Sequence, residues 1–153
     1  MTHNESQKAL LVHFAVREVG PKGSLEQMKV VCYCLRNRVR AGWGDWMEVV
    51  EHAKDVAAHE AAVYPYLDAN SRSYQMLLQA VDDIYYAQPK VESWNGVKID
   101  QDAQGDTIES AVGSGMYWRF LDRPLRPWFQ QNIVDQKKEH AERSSMGLML
   151  VYR

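Results

Sequence analysis

Apolar and polar positions alternate along this chain with two different periods, and the change between them divides the sequence. Ala9, Leu10, Leu11, Val12, Phe14 and Val16 recur at helical spacing, which predicts a helix from about Ser6 to Val19 stopped by Gly20-Pro21. Ser24-Leu25-Glu26-Gln27 reads as a capping box, with Ser24 as N-cap and Gln27 reaching back. It opens a second helix on Met28, Val31, Cys32, Leu35 and Val39 that ends at Ala41-Gly42. Asp45-Trp46-Met47-Glu48 opens a third, carrying Val49, Val50, Ala53, Val56 and Ala57 and stopping before Pro65. A fourth runs from Ser71 or Arg72 to about Ala87 on Leu77, Leu78, Val81, Ile84 and Tyr85, with Pro89 closing it.

From Val91 the helical period gives way to alternation. Val91 to Trp94 and Val97 to Ile99 flank an Asn95-Gly96 turn, which predicts a small hairpin. Residues 101–110 are polar and suited to a loop, and Gly115 to Phe120 is a strand candidate. Arg126-Pro127-Trp128-Phe129 starts a last helix running to about Arg143, with Pro127 in its first turn. Leu148 to Tyr152 reads as a terminal strand. The predicted class is therefore α+β: about five helices and a small antiparallel sheet in the C-terminal half, in one domain spanning residues 1–153 without repeats or linkers.

Composition supports a folded chain: 46% of its residues are hydrophobic and 25% charged. A formal charge of −2 supplies no broad positive field for nucleic acid. Arg36, Arg38 and Arg40 form the one local basic cluster, read as a solvated helix face. No stretch approaches the roughly 20 apolar residues of a membrane helix. The residues from Met1 to Lys8 carry no secretory signal pattern, so synthesis in the cytoplasm is expected. Cys32 and Cys34, two apart on a helix, diverge and are expected as buried free thiols.

Among side chains able to do chemistry, Glu18 stands out. In the last turn of a helix it faces the negative end of the macrodipole, and Phe14 and Val19 are apolar neighbours, so both effects favour the protonated acid. Such a carboxyl suits a general acid for glycosidic oxygen, and it is expected at the floor of an open cleft. Other patterns close doors. His59-Glu60 begins a zincin helix, but Val63 stands where the second His belongs, and His52 and His59 have no third ligand at motif spacing. Ser114 lacks the glycine a nucleophile elbow needs two residues before it. No metal or cofactor is expected.

The runs Arg17-Glu18-Val19-Gly20, Leu25 to Val31, and Leu35-Arg36-Asn37-Arg38-Val39 resemble the successive motifs of the SleB-type cell-wall hydrolases: a Glu-Ala-x-Gly turn, a Gly-Gln-x-x-Val helix and an Asn-Arg-Val ending. Asp45 to Val50, Gly113 to Trp118, Pro127-Trp128-Phe129 and Gly147 to Tyr152 are similar in order to the family's later elements. The resemblance implies a lysozyme-like fold and cleavage of peptidoglycan glycan strands, with Glu18 as the catalytic glutamate. Substrate contacts are expected at Asn37, Tyr117, Trp118 and Trp128, the aromatics, with Trp94, serving as apolar platforms for sugar faces, although aromatics in this number are more often core. A lytic transglycosylase needs no second carboxylate, whereas hydrolysis needs one about 5 to 9.5 Å away, for which Glu26 and Asp45 are candidates.

The chain departs from the family pattern at Lys22, at His52-Ala53, where a Phe-Ser pair is missing, and near Met149, which stands in for a late His. A different class of function thus stands beside the enzyme: a catalytically silent binding or interaction domain with the same fold. With no secretion pattern seen, either the protein is delivered to a substrate outside the membrane by a phage, by lysis or by a dedicated secretion machine, or it does not work on wall.

Overall fold

The computed structural model describes residues 3–20, 24–55, 72–85, 108, 112–113, 115–136 and 149–152. Four helices come first: α1 (His3–Val19), α2 (Leu25–Arg40), α3 (Trp46–Asp55) and α4 (Arg72–Tyr85). Strand β1 (Tyr117–Phe120) follows. A short helical turn α5 (Pro127–Phe129) then continues into a π-helical segment (Gln130–Val134), and β2 (Met149–Tyr152) comes last. The described part is mainly helical with a small two-stranded antiparallel sheet in the C-terminal half, as the periodicities predict. No helix among the described residues is long and apolar enough to cross a membrane. The predicted hairpin at Val91 to Ile99, Trp94, His59-Glu60, Ser114, and the distal parts of the third and last helices lie outside the described residues.

The local signals act where expected. Ser24 Oγ accepts the Gln27 N–H at 3.2 Å while the Gln27 side chain accepts the Ser24 N–H at 2.9 Å, the reciprocal capping box. Asp45 Oδ1 accepts the Glu48 N–H at 2.9 Å and caps α3. At the far end of α2, Gly42 N–H donates to Val39 O and Trp43 N–H to Arg38 O, the paired bonds of a Schellman motif. Gly42, at φ +88°, takes the left-handed conformation that this motif requires.

α2 is the centre of the molecule, packed on α1, α3, α4 and β1. Met28, Val30, Val31, Cys32, Cys34, Leu35, Arg36, Asn37 and Arg38 are all buried, so the helix is enclosed on nearly every side. The reading of Arg36, Arg38 and Arg40 as a solvated face is thereby corrected. Arg36 and Arg38 are buried, and their planar guanidinium groups lie over aromatic rings: Arg36 over Tyr33 at 4.7 Å, Arg38 over Tyr117 and Trp118 at 5.0 Å each.

The sheet sorts its side chains by alternation. Trp118 and Phe120 on β1 and Met149 and Val151 on β2 join the helical core, whereas Tyr117 and Tyr152 face away and pack with Phe129 and Ile133 in a second cluster. Tyr117 pairs with Tyr152 and Trp118 with Val151 across the strands. The last helix departs from expectation just after its start. It opens at Pro127 as predicted, then widens at Gln130–Val134, where Asp135 N–H donates to Gln130 O. The Gln130 Nε2 to Asp135 Oδ1 bond at 2.8 Å spans the same five residues and stitches the wide turn.

Candidate functional site

Two helix ends converge on the start of β1. Glu18 sits in the last turn of α1, and Gly20 N–H closes that turn onto Val16 O. The carboxyl is buried rather than at the floor of an open cleft, with only 9% of the residue exposed. Its Oε1 accepts the indole N–H of Trp118 at 3.2 Å, a contact between residues 100 positions apart. Trp118 therefore has a different part from the expected sugar platform. It is 3% exposed, and its ring stands edge-on to Phe14 with centroids 6.2 Å apart.

The negative helix end that sequence placed beside Glu18 carries a cation. Arg123, in the turn after β1, donates Nη1 to Glu18 O at 2.7 Å and Nη2 to Val19 O, capping the last carbonyls of α1. The Phe120 ring backs this guanidinium at 4.0 Å. Sequence reasoning did not single out Arg123. A turn arginine carries no periodic signal, and its role exists only through a contact about a hundred residues away.

At the end of α2, Asn37 and Arg38 hold the chain that leads into β1. Asn37 Nδ2 donates to Gly113 O at 2.7 Å and Gly115 O at 2.9 Å, and its Oδ1 accepts from Arg36 Nη2 at 3.1 Å. Asn37, expected to contact substrate, is thus a buried strut whose amide hydrogens go to backbone carbonyls. Arg38 Nε donates to Met116 O at 2.7 Å. The Schellman motif sets Trp43 over Arg38, its ring 5.2 Å from the guanidinium carbon, and Trp43 in turn packs on Tyr117 at 5.8 Å and His52 at 5.7 Å. Burial lowers the pKa of Arg38 to about 10, partly offset by electrostatic coupling, first of all to Cys34 and Tyr117. Burial likewise raises that of Tyr117, against the pull of Arg38.

The structure thus brings Glu18, Trp118, Tyr117, Asn37 and Arg38 to one place. Trp128 stays apart: it is exposed at the start of α5, where its neighbour Phe129 packs on Tyr117. Glu26 is exposed in the first turn of α2, and Asp45 uses a carboxyl oxygen on the α3 cap. Among the described residues no three His, Cys, Asp or Glu side chains group as metal ligands. Trp43 and Arg38 are the site residues that sequence underrated, although Arg38 follows Val31 and Leu35 on one helical stripe, which was the available signal. Compared with protein families, curated proteins and solved structures, the chain finds no match.

Proposed function

We propose that this chain cleaves the glycan strands of peptidoglycan as a divergent relative of the SleB-type hydrolases, with Glu18 as its single general acid and base. One observation carries the reading. The segments that resemble separate family motifs meet in space: Glu18 with Trp118, Asn37 with Gly113 and Gly115, and Arg38 with Met116. In the reaction the Glu18 carboxyl gives its proton to the glycosidic oxygen as the C–O bond breaks, and positive charge develops at C1 of the sugar. The resulting carboxylate takes the proton of the 6-hydroxyl of the same muramic residue, whose oxygen closes onto C1 and yields an anhydro end. The Trp118 N–H fixes one carboxyl oxygen and so limits how the group turns toward substrate.

The competing reading is a silent binding domain, and the burial of Glu18 and Trp118 favours it. Digestion of purified peptidoglycan followed by mass analysis separates the two. Anhydromuropeptides support transglycosylation, new reducing ends support hydrolysis, and no products support the binding domain. Glu18→Gln is expected to reduce cleavage about 10²-fold to 10⁴-fold, because the amide has no proton to donate. Folding should survive, since the Gln carbonyl still accepts the Trp118 N–H. Unchanged cleavage by this variant rules Glu18 out.

A further inference from the structure

Arg38 is 1% exposed, yet its polar end is not fully used. Among the described residues its side chain makes one hydrogen bond, from Nε to Met116 O, and the buried Nη1 finds no partner. No carboxylate among the described residues lies within ion-pair distance of it. Three aromatic rings enclose the guanidinium, those of Trp43, Tyr117 and Trp118, and their faces offset part of the cost of burying its charge. Rings do not replace a hydrogen-bond acceptor, and a buried charged donor left without one is a standing cost. Arg123 shows the contrast, because both of its terminal nitrogens reach carbonyls.

We propose that Arg38 is a binding site for a carboxylate on the ligand, reached when the Trp43 side chain swings aside. Trp43 is the exposed wall of the enclosure at 37%, while Tyr117 and Trp118 are buried. Its backbone N–H is tied to Arg38 O, so access requires only rotation of the side chain, with the helix cap intact. A planar carboxylate matches a guanidinium nitrogen between aromatic walls. The choice of carrier rests on the glycan reading: wall fragments bear carboxylates at the free ends of their peptides.

The test compares N-acetylmuramyl-L-alanine with its C-terminal amide, an uncharged match in size, by calorimetry and tryptophan fluorescence. The acid should bind at least about 10-fold more tightly, as expected for a charge-assisted hydrogen bond. That ratio should fall to about one in Arg38→Met and to an intermediate value in Arg38→Lys, which keeps the charge but loses the fork. Trp43→Phe should retain the ratio while losing most of the fluorescence response. Equal affinity of acid and amide for the unaltered protein, or no binding of the acid, overturns the site even if Arg38→Met fails to fold. A ratio that persists in folded Arg38→Met overturns it too. Glycan cleavage without acid preference would remove the site and leave the function; acid preference without cleavage would do the reverse.

Discussion

The ends of α1 and α2 both abut the polypeptide around β1, and both use an arginine to grip backbone carbonyls, yet they settle their polar groups differently. At the end of α1, Arg123 comes from outside the helix, is partly exposed, and donates through both terminal nitrogens. At the end of α2, Asn37 and Arg38 come from the helix itself, are buried, and reach outward to Gly113, Gly115 and Met116. The first is a cap that water can partly replace. The second is a dry joint, in which every bond lost leaves a buried atom without a partner, and it already contains one such atom in Arg38 Nη1. Buried polarity that is fully satisfied holds a fold together, whereas buried polarity left incomplete marks the place to look for a ligand.

The largest stability effect should therefore come from the dry joint. Asn37→Ala strips the donors from the two buried carbonyls of Gly113 and Gly115. We expect a loss of about 2–4 kcal/mol by urea denaturation, at about 1–3 kcal/mol for each unsatisfied group with partial relaxation. Arg123→Met, at the wetter end, should cost about 1–2 kcal/mol, because water can reach the freed carbonyls of Glu18 and Val19 and only the cap and its charge are lost. Equal costs for the two variants would break the distinction between the joints. A larger loss in Arg123→Met would invert it.

The same contrast explains what was legible in the sequence. The bounds of the first two helices, the start of α3, the Ser24 and Asp45 caps, the stop at Gly42 and the strands at Tyr117–Phe120 and Met149–Tyr152 follow from local spacing and turn chemistry, and the structure bears them out. Glu18 was singled out from its helix-end position and the family resemblance. The burial of Arg38 was misjudged because charge was weighed above the stripe it shares with Val31 and Leu35, and because an arginine can stack on rings that lie some 80 residues away. Trp118 as a donor to Glu18, Asn37 as a strut and Arg123 as a cap are tertiary facts with no local signature. The π-helical turn after Phe129 depends on a Gln130–Asp135 pairing that a 3.6-residue period does not register.

The smallest effect at neutral pH, and the sharpest probe of how dry the α2 region is, concerns its thiols. Cys32 and Cys34 are both buried and free. Burial pushes both thiols up, Cys32 further still through Cys34, whereas Arg38 and Arg36 pull Cys34 back, leaving it at about 12. An acid whose pKa is raised by folding contributes no pH dependence while it is protonated in both states. Above its unfolded value, near 9, the unfolded chain releases protons that the folded chain retains, so stability falls as pH rises. The slope approaches about 1.4 kcal/mol per pH unit for each thiol, up to the folded value. Urea midpoints should thus be insensitive to these cysteines from pH 7 to about 8.5 and fall more steeply above that in the parent than in a Cys32→Ala, Cys34→Ala double variant. At pH 8 a thiol reagent such as dithionitrobenzoate should label neither cysteine until the protein is unfolded. Prompt labelling of Cys34 in the native state, or parallel alkaline slopes for parent and double variant, would mean that water reaches the last turns of α2, and the dry joint at Asn37 and Arg38 would have to be given up.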